Sequence, residues 1–206
     1  MNDRTHQESG ARDMPPRIDA RLLGLAADAL AAVLPADAAQ AARLFATPSP
    51  AWGKAAPADQ QLGAWLRRHP SLGARDSRWL SDRVYDVLRH GRAYESFLEE
   101  GGRADSDGQA STDRERLPGL IRLSEALRTH VDPEAAAYRQ WLEQQLPAVR
   151  FSLPDWLWEG LVATHGEQAE ALAATLLLPA AIEIRGNLLK GKATALQKKL
   201  AEVGVA

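Results

Sequence analysis

No cysteine occurs among the 206 residues. That absence excludes disulfides, thiolate nucleophiles and zinc–thiolate sites. Val and Ile are scarce, and the chain has only three Tyr and three Phe. Ala and Leu dominate instead, a balance that favours helix over sheet. No apolar run is long enough for a bilayer. The longest, residues 171–182, is broken by Thr175 and Pro179 and falls short of the roughly 20 residues a spanning helix needs. Residues 1–13 are polar and lack the apolar stretch of a signal peptide. The cytoplasm is therefore the expected compartment, with no membrane partner. Neither charge sign dominates: the formal net charge is −2, so the chain as a whole is no basic nucleic-acid binder.

Charge is nevertheless unevenly distributed. Residues 62–92 hold seven Arg against three Asp, and residues 185–206 hold Arg185, Lys190, Lys192, Lys198 and Lys199 against Glu202 alone. Such local surpluses either face phosphates or are simply solvated helix faces.

Periodicity predicts a mainly α protein. Residues 1–16 read as a disordered tail. Helices are expected over 19–33, over 37–45 behind Asp37, and over 59–68, with a Pro-rich loop containing Trp52 between the last two. The longest amphipathic helix is expected over 74–90. Trp79, Leu80, Val84, Val87 and Leu88 mark its apolar face, and Arg75, Arg78, Asp82, Arg83 and Arg89 occupy much of the rest. Gly91 reads as its stop, with a further turn or two over 94–99.

Residues 101–116, rich in Gly, Ser and Asp, read as a flexible linker or insertion. Two more helices follow, over 117–127 and 134–146. Ser152-Leu153-Pro154-Asp155 is a helix start, with Ser152 as the cap and Asp155 at the capping-box position. Trp156, Leu157, Leu161 and Val162 are expected to pack inward behind it. Another helix runs over 167–177 and ends at Pro179. Ile182-Glu183-Ile184-Arg185 alternates as a strand does, and a final helix is expected over 193–203. One strand and one helix cannot make a sheet domain, so this last unit reads as incomplete.

Two blocks resemble a known family. The first comprises Pro57-Ala58-Asp59, Leu62, Arg67, Leu72-Gly73-Ala74-Arg75-Asp76 and Val84-Tyr85-Asp86-Val87-Leu88-Arg89-His90. It resembles the helical NusB-like domain that precedes bacterial ribosomal-RNA cytosine-C5 methyltransferases of the Nop/Sun type. The second comprises Leu153-Pro154-Asp155-Trp156-Leu157, Pro179-Ala180 and Ile184-Arg185-Gly186-Asn187. It resembles the entry to the RNA-binding subdomain of the same enzymes.

The resemblance implies a NusB-like bundle over 17–100, completed by helices over 117–146. The start of a truncated strand–helix RNA-binding subdomain would follow over 147–206. It also implies ribosomal RNA as partner. Three positions depart from the family pattern: Ser77, Ala181 and Gly186. The family's reaction uses S-adenosylmethionine and a Cys nucleophile. This chain has no Cys, so it is expected to be inactive by itself, to carry no catalytic residues and to hold no cofactor.

The implied RNA contacts are Arg75, Arg78 and Arg89 on the long helix, and Arg185, Asn187, Lys190 and Lys192 in the second block. Arg and Lys would pair with phosphates, and Asn could reach a base edge or a 2′-hydroxyl. The competing role for the first set is pairing within the helix, Arg78 with Asp82 and Asp86 with Arg89. A non-enzymatic module whose bundle binds a protein partner is the alternative reading of the whole chain.

Gly186-Asn187-Leu188-Leu189-Lys190-Gly191-Lys192 has the spacing of a phosphate-binding loop, yet Ala193 stands where the Mg²⁺-binding hydroxyl belongs. It is therefore not read as a nucleotide site. Trp79, Trp141, Trp156 and Trp158 are expected in packing roles, leaving Trp52 as the base-stacking candidate. The scattered His residues and Asp105-Ser106-Asp107-Gly108 are assigned no metal.

Overall fold

The computed structural model describes residues 18–35, 45, 56–102, 113–129, 132–178 and 191–202. Every regular element among them is helical. The expected helix 37–45 apart from Phe45, the loop around Trp52, the tail 1–16 and the strand 182–185 all lie outside the described residues.

Helix α1, Ala20–Val33, begins where expected because Asp19 caps it, accepting a hydrogen bond from the Leu22 N–H at 2.8 Å. Its apolar stripe of Leu22, Ala26, Ala29, Leu30 and Val33 is buried. Helix α2, Ala58–Arg67, buries Leu62 and Trp65 against α1.

Helix α3, Ala74–Gly102, is the spine of the fold. It passes straight through Gly91, the residue expected to stop it, and absorbs the separate turn expected over 94–99. A Cβ at Gly91 would meet the Phe45 ring at 2.6 Å. This glycine lets another segment approach the helix closely, and helix termination plays no part.

Helix α4, Asp113–Thr129, packs against α1 and α3. The expected linker 101–116 is thus trimmed from both sides, since α3 reaches Gly102 and α4 starts at Asp113. Burial explains the α4 end. The Arg116 guanidinium pairs with Glu95, a buried α3 carboxylate that also accepts from the Phe45 N–H at 3.1 Å.

Helix α5, Pro133–Glu143, is capped by Asp132, which accepts from the Glu134 N–H at 2.9 Å. Its Tyr138 and Trp141 meet Tyr94 and Phe97 of α3 edge-on, at centroid distances of 5.3–5.5 Å. One continuous core joins α1 to α5, centred on Leu30, Leu80, Val84, Val87, Leu120, Ile121 and Leu123.

The short helix α6, Pro147–Arg150, leads into α7, Asp155–His165. A 3₁₀ turn, Gly166–Gln168, joins α7 to α8, Ala169–Leu176. The helix α9, Ala193–Glu202, follows.

Two expectations fail in this region. Ser152 does not cap α7. It adopts φ +54°, and its hydroxyl accepts from the Ala93 N–H of α3 at 3.0 Å; the first turn of α7 is closed by the Pro154 carbonyl instead. Helix α7 also buries none of its residues. Trp156 is 62 % exposed and Val162 is exposed as well, so they do not pack inward as expected. Among the described residues, α7 meets α8, the 3₁₀ turn and α6 as its substantial neighbours.

Candidate nucleic-acid interface

The seven Arg of residues 62–92 separate into two groups, and burial decides which. Arg83 and Arg92 point inward. Arg83 Nη1 donates to the Ser124 carbonyl at 2.9 Å and lies 3.5 Å from the Glu125 carboxylate. Arg92 donates to the Leu153 carbonyl and, at 2.8 Å, to Asp155. Both guanidinium groups fasten helices together. Arg83 was expected on the solvated side of the helix, and its inward turn corrects that.

Arg67, Arg68, Arg75 and Arg78 are exposed, and Arg89 is half-buried. Along α3, Arg75, Arg78, Asp82 and Arg89 follow at helical spacings of 3, 4 and 7 residues and so share one face. Arg89 stands about 16 Å beyond Arg78 along the axis at 1.5 Å per residue.

The expected intrahelical pairs are absent. Among the described residues, no ion pair joins Arg78 to Asp82 or Asp86 to Arg89. Arg128, at the end of α4, is held above its ordinary pKa first by its hydrogen bond to Glu125, then also by the charges of Glu125 and Asp82. The influence of Asp82 thus extends to α4. Asp86 turns into the bundle, where its carboxylate accepts from the Ser124 hydroxyl at 2.6 Å and the Tyr94 hydroxyl at 2.8 Å, and lies 3.3 Å from His90 Nδ1.

Burial alone would raise the Asp86 carboxyl. The hydrogen bonds from His90 and Ser124, the charge of His90 and the bond from Tyr94 outweigh it and hold the group at about 2. The Tyr94 hydroxyl is pushed well above its usual range by burial and by the Asp86 charge.

Neither Arg67, which belongs to the first resemblance block, nor Arg68 is among the RNA contacts expected from the sequence, although their adjacency just before His69-Pro70 is a visible signal. They end α2 six residues before α3 begins, so they share one end of the bundle with Arg75 and Arg78.

In the second block, Arg185, Asn187 and Lys190 lie outside the described residues. Lys192 is exposed, and its carbonyl accepts the first backbone bonds of α9, from Ala195 at 3.1 Å and Leu196 at 3.3 Å. Lys198 and Lys199 are exposed on α9. Of the phosphate-loop spacing, only Gly191 and Lys192 are described, and both are exposed.

A separate cleft of about 240 Å³ is lined by Leu23 of α1, Trp79 of α3, Ile121 and Glu125 of α4, and Glu134 of α5. Burial and the neighbouring Asp132 raise the Glu134 carboxyl, against the pull of Arg122. Arg75, Arg78 and Arg89 do not line this cleft. Among the described residues, no group of three or more His, Asp or Glu could hold a metal, and no helix is long and apolar enough to cross a membrane. Compared with protein-family models, curated proteins and solved structures, the chain matches none.

Proposed function

We propose that this chain is the RNA-binding portion of a ribosomal-RNA cytosine-C5 methyltransferase that uses S-adenosylmethionine. In this reading a NusB-like bundle and the opening of a strand–helix subdomain position the RNA. The observation that carries it is the outward set of Arg75 and Arg78 on α3, with Arg89 further along the same face. Guanidinium groups so displayed bind phosphate oxygens and fix an RNA without reading its sequence.

Arg185, Asn187, Lys190 and Lys192 would supply the second contact, nearer the target base. The proposal draws further on the resemblance of the two sequence blocks. The chain supplies no cysteine, so the nucleophile and the cofactor site would come from outside it, and its own role is to hold RNA. The test is fluorescence anisotropy with labelled helical fragments of ribosomal RNA at low salt. Binding that weakens steeply with salt is expected. No binding by about 100 μM overturns the proposal, since even non-specific binders reach that range.

A second reading, a module that binds a protein, is favoured by the exposed Leu146, Trp156, Leu176 and Leu178. A complex retained at high salt after nuclease treatment would support it.

A further inference from the structure

The corner where α2 meets α3 presents four exposed guanidinium groups, those of Arg67, Arg68, Arg75 and Arg78. The turn beneath them is fixed by backbone bonds. Arg68 N–H donates to the Trp65 carbonyl at 3.0 Å, His69 to Leu66 at 2.9 Å, and Leu72 to His69 at 3.1 Å. The positive end of the 29-residue α3 adds its partial charge beside Arg75 and Arg78, offset in part by Asp76 in its first turn and by the negative end of α2 at Arg67.

Both tryptophans of this corner are withdrawn, and His69 is half-buried. Trp65 is 3 % exposed and Trp79 5 %. Their indole N–H groups are already committed, to Asp28 at 3.1 Å and Glu125 at 2.9 Å. The His69 ring stacks on Trp65 at 3.8 Å, and its Nδ1 is engaged by the Trp65 carbonyl at 2.9 Å.

Modules that read unpaired RNA splay bases onto exposed aromatic faces and bond their edges. Among the described residues, this corner holds no fully exposed aromatic ring on which to do so. What it offers is charge on a rigid turn, and a double helix concentrates phosphates from two strands within its reach. Resting on the RNA-binding proposal above, we infer that the α2–α3 corner grips the phosphate backbone of double-helical RNA and does not read unpaired bases.

The test uses the full chain with two labelled RNAs of equal nucleotide number: a hairpin of about 20 base pairs and an unstructured U-rich strand. The hairpin should bind at least about fivefold tighter. Two hairpins of unrelated sequence should bind alike, with a salt slope of about −3 to −4 for four phosphate contacts. The double variant Arg67→Gln, Arg68→Gln should lower the slope magnitude by about 2 while leaving the circular dichroism unchanged. Equal or tighter binding of the single strand overturns the inference and leaves RNA binding standing. So does a double variant that binds the hairpin like the parent. Failure to bind either RNA overturns both this inference and the proposed function.

Discussion

The Arg92 guanidinium, in the middle of α3, donates to the Asp155 carboxylate at the start of α7 across 2.8 Å. Arg92 also holds the Leu153 carbonyl, and the Ser152 hydroxyl one residue earlier receives the Ala93 N–H. Three polar groups of the α6–α7 turn, on Ser152, Leu153 and Asp155, are thus fastened to the adjacent Arg92 and Ala93 of α3. This clamp fastens the start of α7 to the bundle. It also holds Ser152 in the left-handed region, which costs a non-glycine residue about 1 kcal/mol or more.

The two arms of the clamp should differ in strength. Arg92 is buried, whereas the Asp155 side chain is 70 % exposed. Arg92→Met leaves the Leu153 carbonyl without its donor and should cost about 2–3 kcal/mol. Asp155→Asn removes only a solvent-screened attraction and should cost less than about 1 kcal/mol. Urea denaturation of the two variants checks this, and equal losses would mean that the carboxylate dominates.

Two glycine substitutions should have opposite signs. Gly91→Ala gains about 1 kcal/mol of helix propensity but drives a methyl into the Phe45 ring, an overpacking that costs about 1–3 kcal/mol, so a net loss is expected. Gly160→Ala in α7 meets nothing within 4 Å and should stabilise by about 0.5–1 kcal/mol. Melting temperatures of the pair make the comparison.

Asp86 should give the fold an acid-sensitive increment. Its carboxyl is lowered from 3.8 to about 2 in the folded chain. A depressed acid contributes stability that is present above pH 3.8 and lost as the pH falls toward 2. The increment is about 2 kcal/mol at 1.36 kcal/mol per unit. The difference in unfolding free energy between the parent and Asp86→Asn should therefore shrink between pH 4 and pH 2. A difference that persists at pH 2 would assign the effect to packing.

The α3 arginines should act as separate phosphate contacts. Arg78→Gln and Arg89→Gln should each reduce the salt slope of RNA binding by about 1 while weakening all RNA sequences alike. A variant that changes sequence preference without changing the slope would place its arginine at a base edge.

Periodicity and capping chemistry made much of the fold legible. Helix α1 starts at Asp19 and α5 at Asp132 because a carboxylate one residue ahead of a helix satisfies its first free N–H groups, a local property the chain carries anywhere. The apolar stripe of α3 likewise fixed which face of that helix is buried, and Trp79 and Val84 lie where the spacing put them. The dominance of Ala and Leu with no cysteine settled a mainly helical chain without thiol chemistry.

What the sequence could not decide was whatever depends on a partner distant in the chain. Gly91 reads as a stop until Phe45 arrives against it. Arg83, Arg92 and Asp86 look like surface charges until Ser124, Leu153 and Tyr94, between 8 and 61 residues away, supply their hydrogen bonds. Ser152 looks like a cap until the Ala93 N–H claims its hydroxyl. A charged side chain on a helix has the same local energetics whether it faces water or a neighbouring helix. Only the packing of α3 against α4 and the α6–α7 turn singled out Arg83 and Arg92 as the arginines that hold helices together.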